Sequence, residues 1–235
     1  MENITKDSYN SLAEAYDKKN ATGLANAFYE RPAIISLIPK NINNKIVVDA
    51  GCGSGTLSQH LEQQGAAVIA FDYSKALIKL AKKRLKTTNI RVANLSEPLD
   101  FIEDNSVDVV VSSLVLHYIE NWTPVFNEFN RILKKDGVII FSIHHPHQDW
   151  YWYELDNYFQ KILCEDTWNF DSYKLTIQAY HRTLQEVFDT ISEAKFYVEK
   201  LLEPAPLPEG QKIDPRFYES LITKPRFLFL RLKKK

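Results

Sequence analysis

From about residue 45 the chain alternates short runs of branched apolar residues with stretches whose apolar side chains recur every three to four positions. KIVVD (45–49), AAVIAF (66–71), the weaker IRVA (90–93), VDVVVS (107–112) and VIIFSI (138–143) read as strands. Residues 56–64, 74–85 and 125–133 read as helices. Leu57 and Leu61, then Leu77, Leu80, Ala81 and Leu85, then Val125, Phe129, Ile132 and Leu133 mark their apolar faces. Apolar strands separated by amphipathic helices predict a parallel sheet covered on both faces. Right-handed crossovers then make it an α/β, doubly wound sandwich.

The ends of the chain follow other patterns. Residues 8–38 look helical, with Pro32 opening a helix. Residues 150–180 are rich in aromatic side chains, including Trp150, Trp152 and Trp168. A helix is expected over 184–192 and a strand over 196–202. Pro204, Pro206, Pro208 and Pro215 mark 203–215 as a surface loop. RFLFLRL (226–232) alternates with period two and is expected as a last strand, antiparallel and at an edge.

The chain has 235 residues, 45 % of them hydrophobic, which is enough for one domain with a sizeable core. A formal net charge of -1 gives no overall attraction for a polyanion, so nucleic acid is not an expected partner. Cys52 and Cys164 lie far apart and make neither a disulfide framework nor a thiolate metal cluster. MENITKDSYN has no apolar core of a signal peptide, and the apolar runs are too short to span a bilayer. A cytoplasmic protein without a transmembrane segment is expected.

VVDAGCGSG places Gly51, Gly53 and Gly55 between the first strand and the first core helix. Glycine there lets the chain turn sharply and lets a ligand approach the backbone. The carboxyl ends of parallel strands are also where such sheets bind ligands. A dinucleotide loop wants a glycine at the sixth position, where this chain has Thr56, and an NTPase loop ends in Gly-Lys-Ser/Thr, which is absent. Asp49, just before the glycines, suits a cationic amine or the loop's own amides better than a pyrophosphate.

DAGCGSG (49–55) and FDYS (71–74) resemble the first two motifs of the class I S-adenosylmethionine-dependent methyltransferases, small-molecule type. NSVDVVVSSLVLHYIENW (105–122) and LKKDGVIIFSI resemble the fourth motif with its following loop and the fifth strand. The resemblance covers nearly the whole chain and is densest from 45 to 145. It implies a mostly parallel, seven-stranded Rossmann-like sheet with an antiparallel last strand, plus a helical and aromatic cap. It implies one domain over 1–235, with an N-terminal helical cap (1–40), a cofactor-binding core (41–145), a substrate-cap insert (146–182) and the C-terminal part of the sheet (183–235).

The implied cofactor is S-adenosylmethionine, leaving as S-adenosylhomocysteine. Asp49, Gly51, Cys52, Gly53 and Gly55 would pack on its methionine part and ribose. Asp72 would accept bonds from the ribose hydroxyls, since an ionised carboxylate is acceptor-only; a helix cap is its competing role. Tyr73 would neighbour the adenine. Asn94 stands where the family often has an acid for the adenine amine, and Leu95 offers its backbone amide. Ser113, Leu114 and His117 would lie where cofactor and acceptor meet. Asp108 reads as structural. Tyr9 and Tyr16, seven apart on one helix face, resemble the tyrosines that close such pockets, with packing as the alternative.

SIHHPHQDW (142–150) ends the fifth strand with three histidines. His144 and His145 are adjacent in extended chain and point apart, which does not suit a metal site, and no metal is expected. His117, His144 and His145 are candidate bases, because histidine titrates near neutrality. His147, Trp150, Trp168 and Arg182 are candidates for acceptor binding, with Arg182 suited to a carboxylate. Rim hydrogen bonds, insert core and a salt bridge are the respective alternatives. The basic tail from Lys224 to Lys235 reads as a solvated edge.

The expected activity is methyl transfer to an oxygen, nitrogen or carbon of a small metabolite, by a monomer or homodimer. An RNA or protein methyltransferase, or a non-catalytic cofactor-binding partner, are the competing readings. SSLVLH in place of an Asn/Asp-Pro-Pro-Tyr motif argues against methylation of base amines.

Overall fold

The computed structural model describes residues 4–86, 89–170 and 173–235, with backbone only at 168–170, 173 and 175. Five strands build the parallel part of the sheet: β1 (Ile46–Ala50), β2 (Ala67–Asp72), β3 (Asn89–Val92), β4 (Val107–Ser113) and β5 (Leu133–His144). They lie in the order β3-β2-β1-β4-β5 and all pair in parallel. The order reverses at β1, so the crevice between β1 and β4 is the switch point where such sheets bind ligands.

Side-chain alternation sorts each strand onto two cores. Val48, Ala50, Val110, Ile139 and Phe141 face one cluster with the helices Thr123–Ile132 and Leu184–Glu193. Val47, Ala70, Val109, Val111 and Ile140 face the other, with Arg31–Leu37, Thr56–Gln63 and Lys75–Arg84. Period-two strands with apolar residues on both faces are what a sheet buried between helix layers requires. The doubly wound, mostly parallel sheet is therefore the observed fold.

Three expectations are corrected. The strand 226–232 is longer (Phe227–Lys234) and is not an edge. It lies antiparallel between β5 and the strand Phe196–Leu202, which takes the edge. Its basic residues are accordingly not a free solvated rim: Arg231 and Lys233 pair with Glu199 at 2.6 Å each, and the Lys234 ammonium donates to Leu133 O. The strand expected over 138–143 begins earlier, at Leu133, and carries a bulge where Val107 pairs with Leu133 but Val109 with Val138. Asp108 sits opposite, accepting from Ile46 N and from the Lys134 ammonium, the structural role expected of it. The segment expected as a loop over 203–215 holds a short 3-10 turn, Pro208–Lys212, and ends where a further helix, Pro215–Thr223, begins. Asp214 caps it by accepting from Phe217 N.

The N-terminal segment is helical, as Ile4–Ser11 (α1) and Ala13–Thr22 (α2), then a π-turn (Asn26–Glu30) running into Arg31–Leu37 (α3). The aromatic insert is a short helix, Pro146–Trp152, and a separate two-stranded sheet, Ile162–Phe170 with Tyr173–His181. Thr5 fastens α1 to this hairpin, its hydroxyl accepting from Gln178 N at 2.8 Å. Among the described residues no helix is long and apolar enough to cross a membrane.

Phe126 is fully buried and edge-on to Phe129, Phe141 and Phe196. Phe126→Ala is expected to lower unfolding free energy by about 3–5 kcal/mol. Urea titration should show a lower midpoint at unchanged slope.

Candidate cofactor and acceptor site

A cavity of about 500 Å³ opens over the carboxyl ends of the strands. Its floor is Gly51 and Gly53 after β1, Asp72 at the end of β2, Asn94 and Leu95 after β3, and Ser113 at the end of β4. Its roof is Thr5 and Tyr9 from α1, Tyr16 from α2, Tyr118 from the turn after β4, and Leu163, Gln178 and Tyr180 from the hairpin.

The glycine loop owes its form to two constraints. Gly51 and Gly53 hold φ of 84° and 56°, a region costly for other residues. A Cβ on Gly51 would lie 2.2 Å from a Val115 methyl, whereas one on Gly53 would meet nothing within 4 Å. Gly51 is thus required by packing, and Gly53 leaves bare backbone beside the cavity. Asp72 secures that backbone: one carboxylate oxygen accepts from Gly53 N at 2.9 Å, the other from Ser74 N at 2.8 Å. Ser74 itself caps the helix Lys75–Arg84, accepting from Leu77 N, so Asp72 does not serve as that cap. Each Asp72 oxygen keeps a lone pair free for a ligand hydroxyl.

A second cavity of about 60 Å³ shares Tyr16, Gly51, Gly53 and Ser113 with the first and reaches Glu30, Arg31, Asp49 and Cys52. Asp49 is buried; one oxygen accepts from the Ser58 hydroxyl at 2.5 Å, and Oδ1 has no partner among the described residues. Desolvation, aided by the charges of Asp72 and Glu30, pushes its pKa up to about 7. Arg31 bonds Asn20 through its carbonyl at 2.8 Å and its side-chain oxygen at 2.5 Å, and the Asn20 amide donates to the Tyr16 hydroxyl. An orphaned carboxylate oxygen and a guanidinium in one small cavity suit an ammonium and a carboxylate, the two charges of an amino-acid group.

Several contributors carried no sequence signal. Glu30 is buried in the π-turn, where its Oε1 accepts from Ser113 and Ser142 hydroxyls at 2.6 and 2.7 Å. Burial raises its pKa. Asp17 on α2 accepts from the Ser54 hydroxyl and pairs with Arg84 at 3.0 Å, clamping α2 to the glycine loop. Asn10 accepts from the Ser74 hydroxyl at 2.8 Å. In a single sequence Glu30 and Arg31 are one more charged pair in a helical run; only the pairing of β4 with β5 places Ser113 and Ser142 beside them.

The other sequence candidates are placed as follows. Tyr73, Asn94, Leu95, Ser113 and Tyr16 line the large cavity. Asn94 is engaged in its own loop, accepting from Ser96 N and donating to Glu97. Gly55 precedes the helix Thr56–Gln63 in a left-handed conformation. Cys52 lines the small cavity, its thiol pushed up by burial. His117, His144 and His145, the candidate bases, are not among the residues lining either cavity. His117 is buried, stacked on His144 at 4.0 Å, and neither ring nitrogen has a partner among the described residues. Burial holds its pKa well below the usual value, so it is neutral. His144 lies 3.4 Å from Asp149, and His145 bonds Glu203 at 2.9 Å while accepting from His147 N.

His147 is exposed and packs edge-on to Trp150, which belongs to an open surface groove with Tyr151 and Trp152. Arg182 is buried over the Trp122 ring and donates to Ile119 O and Glu120 O, a structural tie within the cap. The side chain of Trp168 lies outside the described residues. Among the described residues no group of three or more His, Cys, Asp or Glu is placed to hold a metal ion.

Residues 48–141 match the family model described as a methyltransferase domain. A protein of Haemophilus influenzae is 29 % identical over 240 residues, covering 94 % of this chain and 93 % of its own. The malonyl-[acyl-carrier protein] O-methyltransferase of Hamiltonella defensa is 31 % identical over 137 residues, about half of each chain. The crystal structure of a protein from Listeria monocytogenes described as an S-adenosylmethionine-dependent methyltransferase is 28 % identical. It superposes with a TM-score of 0.74 over 88 % of this chain and 96 % of that one. With its sheet order, glycine loop and strand-end acids, the chain carries a methyltransferase domain over residues 48–141 and has the fold of S-adenosylmethionine-dependent methyltransferases. Its cofactor is S-adenosylmethionine, and its activity is methyl transfer.

The sign of a pH dependence follows from Asp49. An ammonium favours the ionised carboxylate, and below about pH 7 a proton must first leave it. Affinity for S-adenosylhomocysteine is expected to be flat well above that pH and to weaken by up to about tenfold per unit below it. Calorimetry across pH checks this, and Asp49→Asn should flatten the profile.

Proposed function

We propose that this methyltransferase acts on a small, planar or apolar metabolite, with both cavities forming one site. The observation that carries the reading is the cavity running from the glycine loop to an aromatic roof. Its volume lies within the roughly 300–1,000 Å³ of small-molecule sites. With the cofactor inside, space remains only for the reacting part of an acceptor. The malonyl-[acyl-carrier protein] relative fits the same limit, since a tethered group would have to enter alone.

Asp49 would hold the methionine ammonium, Arg31 and Tyr16 its carboxylate, Asp72 the ribose hydroxyls, and Tyr73 and Leu95 the adenine. The cofactor supplies a methyl already activated on a sulfonium. The protein's part is then to orient the acceptor in line and to exclude water, which positioning alone accelerates greatly. α1 performs the exclusion, held by Thr5 to the hairpin, by Tyr9 to Tyr118 and by Asn10 to Ser74.

Calorimetry with S-adenosylmethionine and S-adenosylhomocysteine, with NADH and ATP as controls, tests the site. Only the sulfur compounds should bind. Asp72→Ala should weaken them by about 10- to 100-fold, as loss of a charged hydrogen-bonding group does. At a hundred times Kd they should add about 2.7 kcal/mol to stability in a melt.

A further inference from the structure

The chemical character of the acceptor can be read from the cavity roof; this rests on the proposed reading of the site. Among the described residues lining the large cavity, the ionisable ones are Lys6, Asp72 and five tyrosines. Asp72 is bonded to the glycine loop, and Lys6 lies 4.0 Å over the Tyr73 ring, on the β2 side. The remaining wall offers Tyr9, Tyr16, Tyr118, Tyr180, Gln178 and Thr5 beside Ile119 and Leu163. Its polar atoms are hydroxyls and an amide. Burial raises the pKa of Tyr9, Tyr16 and Tyr118, so these phenols stay protonated and none can take a proton near neutral pH.

Two consequences follow. An acceptor that must lose a proton in the transfer step finds no base among the described residues of this wall. An acceptor carrying a second charge meets no counter-ion on this part of the wall among the described residues, since Glu120 and Glu165 beside it receive the Tyr180 hydroxyl and the Gln178 amide. One negative charge is nonetheless tolerable at the reacting atom, because the sulfonium beside it is positive. The tyrosines also suit it. The Tyr9 and Tyr118 hydroxyls are 2.9 Å apart, and only one of their two protons can lie between the oxygens. The pair therefore carries one further donor.

We propose that the acceptor is a planar, otherwise uncharged molecule whose nucleophile is already ionised when it binds, an acidic phenol, enol or thiol, and that the Tyr9–Tyr118 hydroxyl pair orients that atom. The acceptor's proton goes to solvent before binding. The anion's lone pair then forms the bond to the methyl carbon, and the electrons of the carbon–sulfur bond return to sulfur. Both charges cancel and no proton moves in the step. Tyr118 is a positioning and specificity residue in this scheme.

The test is binding, without turnover, at neutral pH. The protein is loaded with sinefungin, whose amine supplies a positive charge near the sulfonium position, or with uncharged-at-sulfur S-adenosylhomocysteine. The probes are 4-nitrophenol, roughly half ionised there; phenol, which is almost wholly protonated; 4-hydroxy-3-nitrobenzoate, with a second charge; and benzylamine. 4-Nitrophenol should bind the sinefungin complex best, at least about tenfold tighter than it binds the homocysteine complex, as a charge pair of that proximity implies. Tyr118→Phe should erase most of its advantage over phenol, a ratio read at saturating cofactor analogue so that any weaker analogue binding does not enter it. Preference for benzylamine or for the carboxylated phenol, or no probe bound in either complex, overturns the proposal. Failure of the cofactor analogues themselves to bind would instead remove the reading of the site on which it rests.

Discussion

The site depends on how the chain leaves β1. Gly51 N and Cys52 N both donate to the single carbonyl of Phe71, at 2.9 and 3.0 Å. One residue later Asp72 accepts from Gly53 N. The loop after β1 is therefore hung on the end of β2, not merely joined to it. Parallel pairing of the two strands in register, Ala50 opposite Phe71, brings those groups together. Without the left-handed conformations at Gly51 and Gly53 the amides would not point at β2, and no side chain larger than hydrogen fits beside Val115.

Closure of the cavity by the N-terminal segment costs the protein buried charge. Glu30 enters the interior on a π-turn and is compensated by two serine hydroxyls from adjacent strands. Single-turn π insertions are uncommon and recur at functional sites. A carboxylate buried this way is tolerable only while both hydroxyls are in place, so the cap and the ends of β4 and β5 must form together. The Asp17–Arg84–Ser54 clamp does the same between α2 and the glycine loop, with Arg84 donating to both the Ser54 carbonyl and its hydroxyl. These are specific ties in a region whose apolar cluster is small, Ile177 packed by Tyr9, Leu12, Tyr16 and Tyr118.

What was legible in the sequence was periodic. The five parallel strands and three core helices lie within a residue or two of their expected bounds, apart from the early start of β5, because burial on both faces writes itself into composition. The floor of the cavity was legible too, since glycines and acids at strand ends have few other uses. Position across the sheet was not. RFLFLRL reads alike as an edge or as an interior strand, and its place was decided by the strand Phe196–Leu202 pairing outside it. The helix over 215–223 was hidden among prolines, although Asp214-Pro215 is a cap followed by a first-turn proline. The polar partners of Glu30 and Arg31 come from chain distances that no local pattern encodes.

The histidine segment joins the end of the sheet to the cap. His145 Nδ1 accepts from His147 N, which places the neutral ring's proton on Nε2, where it meets Glu203. Its backbone amide meanwhile donates to Arg226 O. One residue thus caps the helix Pro146–Trp152 and fastens it to the loop after the strand Phe196–Leu202 and the lead-in to the strand Phe227–Lys234. His144, pointing the other way as adjacent residues of extended chain must, stacks between His117 and Phe227. Imidazole serves at this junction as a flat ring with two hydrogen-bonding edges, used to turn the chain from the sheet into the cap. Proton transfer would need one of those edges in the cavity, and the turn has spent them elsewhere or buried them.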